Sequence, residues 1–208
     1  MKRFSTLLLF VLFSSTGYTQ QYLFYLHGAI VEDQGANAVS PQFGKYEYDN
    51  IVSTFRKEKF IVISEVRARN TDPETYAHKV VTQIDSLIKR GVKPGNITVI
   101  GASKGCLIAI YVSSFLKNKD VNFVFLAGCF SSLSAGESGI NFCGNILSVY
   151  ENSDDIGRSC AELKKRSTLT IPHYKEIELH TGLHHGFIYK PLKEWVEPAI
   201  KWAHNDYE

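Results

Sequence analysis

A three-layer α/β sandwich, with a mostly parallel sheet of about six strands, is the fold class this sequence predicts. Three observations carry it. Short apolar runs of strand length alternate with helix-like patterns along the chain. Such strand–helix–strand units stack helices on both faces of a parallel sheet. The length of 208 residues suits one domain at ~100–200 residues per domain. Apolar residues make up 44% and charged residues 21%, which supports a buried core and excludes collagen-like or low-complexity chains.

The elements follow in order. Tyr22 to Leu26 (YLFYL) is a strand run ending at His27-Gly28. Tyr46 to Lys57 has helix-compatible spacing, and Phe60 to Val66 (FIVISEV) reads as a second strand. Asp72-Pro73-Glu74 opens a helix through Arg90, because Pro early and an acid in the first turn both suit a helix start. Its apolar positions Tyr76, Val80, Ile84 and Leu87 recur at helical steps, and Gly91 closes it. Ile97 to Ile100 is a third strand, Lys104 to Leu116 a buried helix, Val121 to Ala127 a fourth strand and Ile146 to Tyr150 a fifth. A helix is expected near Ser159 to Arg166. Lys175 to Leu179 (KEIEL) alternates polar and apolar, as an edge strand does, and Glu194 to His204 is a closing helix. Ligands of such sheets bind at the carboxyl ends of the strands.

Residues 1–20 read differently from the domain at 21–208. Lys2 and Arg3 precede an unbroken apolar run, Leu7 to Phe13, and small or polar residues follow from Ser14 to Thr19. This is the plan of a secretory signal peptide, with cleavage expected near Gln20. A secreted or periplasmic protein is therefore expected. Removal takes two basic residues, leaving 23 − 2 = 21 Lys and Arg against 21 Asp and Glu. A neutral domain offers nucleic acid or an anionic membrane no electrostatic attraction. No apolar stretch reaches the ~18 residues of a membrane-spanning helix. Phosphate-cradling and dinucleotide-binding glycine motifs do not occur, so no cofactor is expected. An N-x-T sequon at Asn96 precedes a core strand.

Gly101-Ala102-Ser103-Lys104-Gly105 carries the chemistry. A strand runs straight into this G-x-S-x-G and an apolar helix leaves it. So tight a turn strains its central residue, and flanking glycines remove side chains that would clash. The serine hydroxyl is left exposed at a helix N-terminus, where negative charge is favoured. A serine becomes a nucleophile when a base takes its proton. In this architecture the partners follow in the order Ser, Asp or Glu, His. Downstream strand ends supply them in Glu151-Asn152-Ser153-Asp154-Asp155-Ile156 and in His180-Thr181-Gly182-Leu183-His184-His185-Gly186-Phe187.

Taken together, the strand ending in His27-Gly28, the elbow GASKG, the acid loop YENSDDI and the histidine loop GLHHGF resemble the α/β-hydrolase superfamily over nearly all of residues 21–208. The resemblance implies a serine hydrolase with Ser103 as nucleophile. It places the acid at Asp154, with Asp155 and Glu151 as alternatives, and the base at His185, before Gly-Phe, rather than His184. It implies oxyanion donors in the backbone N–H groups of Lys104 and Ala29. His180, His184 and His185 lie close in sequence, but no C-x-x-C or H-E-x-x-H accompanies them, so no metal is expected. Many relatives insert a cap after the fourth strand. Here Gly128 to Gly144 is too short for one, so an open site is expected. The loop from Gly28 to Lys45 should either shape the substrate groove, with Glu32 and Asp33 as candidate contacts beside Pro41 and Phe43, or pack on the domain with no binding role. The substrate class is a small-molecule or polymer-borne acyl compound, an ester ahead of an amide. A non-catalytic binding protein on the same fold is the competing class.

Cys106, Cys129, Cys143 and Cys160 complete the inventory. Cys106 belongs inside the apolar helix after the elbow. Cys143 precedes the fifth strand and belongs at the sheet's amino end. Cys129 and Cys160 follow strands and belong at the carboxyl end. The intervening stretch Asn145 to Tyr150 spans roughly 20 Å at ~3.3 Å per residue, and a disulfide needs Cα atoms within about 7 Å. Cys129–Cys160 is therefore the expected pair, pinning the acid loop, with four reduced thiols as the alternative.

Overall fold

The computed structural model describes residues 20–130 and 140–208. The signal-peptide expectation falls on residues outside these, as does the middle of the segment judged too short for a cap. Eight strands occur among the described residues: β1 (Tyr22–Leu26), β2 (Val39–Ser40), β3 (Gly44–Lys45), β4 (Ile61–Ile63), β5 (Ile97–Ala102), β6 (Asn122–Leu126), β7 (Asn145–Glu151) and β8 (Tyr174–Leu179). Six of them form one parallel sheet in the order β4-β1-β5-β6-β7-β8. The expected α/β class and six-strand sheet are present. KEIEL is the edge strand β8, whose partly exposed residues match its mixed polarity.

The helices are α1 (Ala29–Gln34), α2 (Tyr48–Lys57), α3 (Pro73–Lys89), α4 (Lys104–Leu116), α5 (Ala161–Arg166) and α6 (Lys193–Ala203). Strand side chains alternate between two cores. Leu23, Tyr25, Ile100, Ala102, Val124, Leu126, Leu147 and Val149 face α2 and α6, where Phe55, Trp195 and Trp202 fill the layer. Phe24, Leu26, Ile97, Val99, Phe123, Phe125 and Ile146 face α3, α4 and α5. Near-continuous apolar strands are what a sheet covered on both sides requires. At the start of α3 the Asp72 side chain accepts from the Thr75 N–H at 2.8 Å, an N-cap.

Two expectations shift. β4 is shorter than FIVISEV because Ser64 leaves the ladder; its hydroxyl donates to the Tyr25 carbonyl at 2.7 Å. The loop after β1 has structure of its own, in α1 and the antiparallel hairpin of β2 and β3.

Cys129 and Cys160 are disulfide-bonded, with Cα atoms 5.2 Å apart, while Cys106 and Cys143 are buried free thiols. The bond closes 31 residues of chain. In the loop-entropy account, closing a loop of that length stabilises by about 3–4 kcal/mol.

Candidate active site

The carboxyl ends of β1, β5, β7 and β8 meet at Ser103. β5 delivers Ser103 between its own end and α4. The residue sits at φ 54° and ψ −120°, a left-handed conformation that costs a non-glycine residue about 1–3 kcal/mol. Packing holds it there. A Cβ on Gly101 would lie 2.3 Å from the Gly105 carbonyl oxygen, and one on Gly105 would lie 1.9 Å from that of Leu26. Both glycines of G-x-S-x-G are thus required by space. The Ser103 N–H donates to the Leu126 carbonyl at 2.9 Å, and its own carbonyl accepts from Cys106 at 2.8 Å.

His185 enters from a 3-10 turn (His184–Tyr189) beyond β8. Its Nε2 lies 2.9 Å from Ser103 Oγ, and its Nδ1 lies 2.7 Å from Asp154 Oδ2. A carboxylate accepts, so Nδ1 carries the proton and Nε2 is left to accept from the serine hydroxyl. The second oxygen of Asp154 accepts the Ile156 N–H at 2.9 Å. His185 and Asp154 are buried, at 5% and 4% exposure. Phe43, from the loop after β1, packs its ring 6.2 Å from the His185 ring.

The alternatives separate by contact. Asp155 is exposed. His184 turns its Nδ1 to the Ser153 carbonyl at 2.5 Å, and His180 lies 3.7 Å from Glu178. The three histidines thus face three different partners. Glu151, at the end of β7, takes a role that sequence reasoning missed. One carboxylate oxygen accepts from the Thr181 N–H and hydroxyl at 2.8 and 2.7 Å, the other from the Ser153 hydroxyl at 2.9 Å. It ties the acid loop to the histidine loop. Burial pushes its pKa up, but these donors outweigh burial and bring it down to about 2. The charge therefore stabilises the fold above the usual value of 4.5 and loses that contribution as pH falls through about 2. Glu151→Gln is expected to cost about 1–3 kcal/mol at pH 7. Urea midpoints measured from pH 7 downward should show the gap to the wild type closing with acid; a constant gap would remove the charge from the explanation.

Ala29 and Lys104 are the first residues of α1 and α4, so neither N–H has an intrahelical acceptor. The two helix starts are adjacent: a Cβ on Gly28 would stand 3.5 Å from Ser103 Cβ. The Gly28–Ala29 peptide is held from behind. His27 Nδ1 donates to the Gly28 carbonyl at 2.8 Å, and His27 Nε2 accepts the Arg67 N–H at 3.0 Å. Acceptance at Nε2 requires neutral imidazole, and burial together with the Arg67 charge lowers its pKa to about 4.

Glu32 is a correction. It does not face a groove: its side chain is 2% exposed and ion-paired with Arg67 and Lys104. Four residues into α1, its position turns it inward toward α4, which polarity alone could not reveal. Asp33 is exposed, and its backbone carbonyl accepts from Arg69 at 2.6 and 3.0 Å. Arg67, the centre of this network, carried no sequence signal.

No protein-family model and no curated protein matches the sequence. Solved structures do match it. An esterase, Pf2001, from Pyrococcus furiosus is 14% identical at a TM-score of 0.60, over 90% of this chain and 84% of that one. The fold is that of the α/β hydrolases. A sugar hydrolase, YeeB, from Lactococcus lactis is 13% identical at 0.56, over 91% and 90% of the two chains. A single-residue variant of SOBER1 from Arabidopsis thaliana is 15% identical at 0.53, over 88% and 100%. Among the described residues, no helix of this α/β-hydrolase fold is long and apolar enough to cross a membrane.

Proposed function

We propose that the protein is a serine hydrolase that cleaves carboxyl esters through an acyl-enzyme. One observation carries the reading: a strained serine whose hydroxyl lies 2.9 Å from an imidazole nitrogen, with a buried carboxylate 2.7 Å from the other nitrogen. Ser103 Oγ attacks the acyl carbon as its proton passes to His185 Nε2. Asp154 holds the tautomer and stabilises the imidazolium. The N–H groups of Ala29 and Lys104 receive the oxyanion. His185 then protonates the leaving alcohol, and water, deprotonated by the same imidazole, releases the acid and restores the serine. Esters lead because alkoxide is the easier leaving group. The N-terminal pattern and the Cys129–Cys160 disulfide support a secreted or periplasmic location, since disulfides persist in oxidising compartments.

Incubating the protein with a fluorophosphonate probe tests the reading. Stoichiometric labelling of Ser103, with turnover of a p-nitrophenyl ester panel, is expected. An unlabelled Ser103 would instead indicate a binding protein on a hydrolase fold.

A further inference from the structure

Behind the elbow lies a buried ionic array that the proposed triad does not use. Glu32 Oε1 accepts from Arg67 Nε at 2.8 Å, and Glu32 Oε2 accepts from Lys104 Nζ at 2.6 Å. The Arg67 side chain is 1% exposed, that of Glu32 2%, and that of Lys104 22%. Arg67 also donates through Nη2 to the His27 carbonyl, and its remaining Nη1 is buried with no hydrogen-bond partner among the described residues. Taking such charges out of water is costly, and well-packed apolar residues are often as stable or more so. Stability alone therefore gives this array little reason to exist.

Its connections supply one. Lys104 carries one oxyanion N–H and Ala29 the other, and Glu32 sits one turn beyond Ala29 on the same helix. The Glu32–Lys104 bridge spans α1 and α4, and Arg67 ties the same carboxylate to the end of β1. Building on the hydrolase reading, we propose that Glu32 is a positioning residue. It fixes the spacing of the two helix starts, so that both oxyanion donors meet one oxygen atom. Such a role touches the transition state, where the oxygen is charged, more than the bound ester.

Lys104→Met is the first test, because it keeps the backbone N–H and removes only the tether. Glu32→Gln, which leaves buried Arg67 and partly exposed Lys104 facing a neutral amide, is the second. Both should lower kcat by about 10–100-fold, the cost of small misplacements, with KM changed less than about twofold. Affinity for a trifluoromethyl ketone, whose serine adduct carries an oxyanion, should fall in parallel with kcat. The Lys104→Met/Glu32→Gln double variant should lose little more than Glu32→Gln alone, since both cut one bridge. Should Glu32→Gln fail to fold, Lys104→Met decides alone. Wild-type kcat and ketone affinity in an otherwise active Lys104→Met enzyme would overturn the proposal and leave the hydrolase reading standing. A wild-type protein that neither turns over esters nor binds the ketone would overturn both.

Discussion

Ser103→Ala is expected to abolish ester hydrolysis, lowering kcat by at least about 10³-fold, because a nucleophile and its base act as a unit. The variant should fold. Alanine keeps the Cβ that the elbow already accommodates, and the backbone bonds from Ser103 to Leu126 and from Cys106 to Ser103 do not involve the hydroxyl. A melting temperature close to wild type, together with the lost rate, separates chemistry from stability. Retention of more than about a tenth of wild-type turnover would be incompatible with an acyl-enzyme on this serine.

His185→Ala should be nearly as damaging, at about 10³-fold or more in kcat, while His184→Ala should stay within about tenfold of wild type. The two neighbours differ in what they touch. His185 bridges Ser103 and Asp154 and is buried; His184 is exposed and bonds a backbone carbonyl. His184 also sits at φ 52°, so its replacement perturbs the turn that presents His185, which sets the smaller expected loss. Equal losses would mean that the turn's shape, not one imidazole, limits the rate. Steady-state kinetics on one chromogenic ester would distinguish these outcomes.

Local patterns made most of this legible. Strand and helix periods placed the sheet, and G-x-S-x-G placed the elbow because sterics leave the sequence little freedom there: added Cβ atoms at Gly101 and Gly105 would sit within 2.3 Å of backbone oxygens. The loops bearing Asp154 and His185 were legible as strand ends. Glu32 was misread as a groove contact, because a charged residue in a long loop looks accessible, and only its pairing with Arg67 and Lys104 takes it inward. Arg67 and Glu151 were illegible as partners for the same reason. Their contacts reach 35 and 30 residues along the chain, and no local period encodes a distance of that kind.

The disulfide also bears on how the chain reaches this state. Cys143 lies between the bonded cysteines, 143 − 129 = 14 residues from one and 160 − 143 = 17 from the other, against 31 for the native pair. Loop-closure entropy then favours Cys129–Cys143 over Cys129–Cys160 by about 0.7 kcal/mol, roughly threefold, while the chain is unfolded. Assembly of β7 between β6 and β8 removes that competition, because it carries Cys143 to the far end of the sheet. Once there, burial raises its thiol pKa and disfavours the thiolate needed for exchange. The same thiol is thus a competitor in the nascent chain and a bystander in the finished fold. Oxidation ahead of strand assembly would trap misfolded protein until a thiol exchanger reopened the wrong bond.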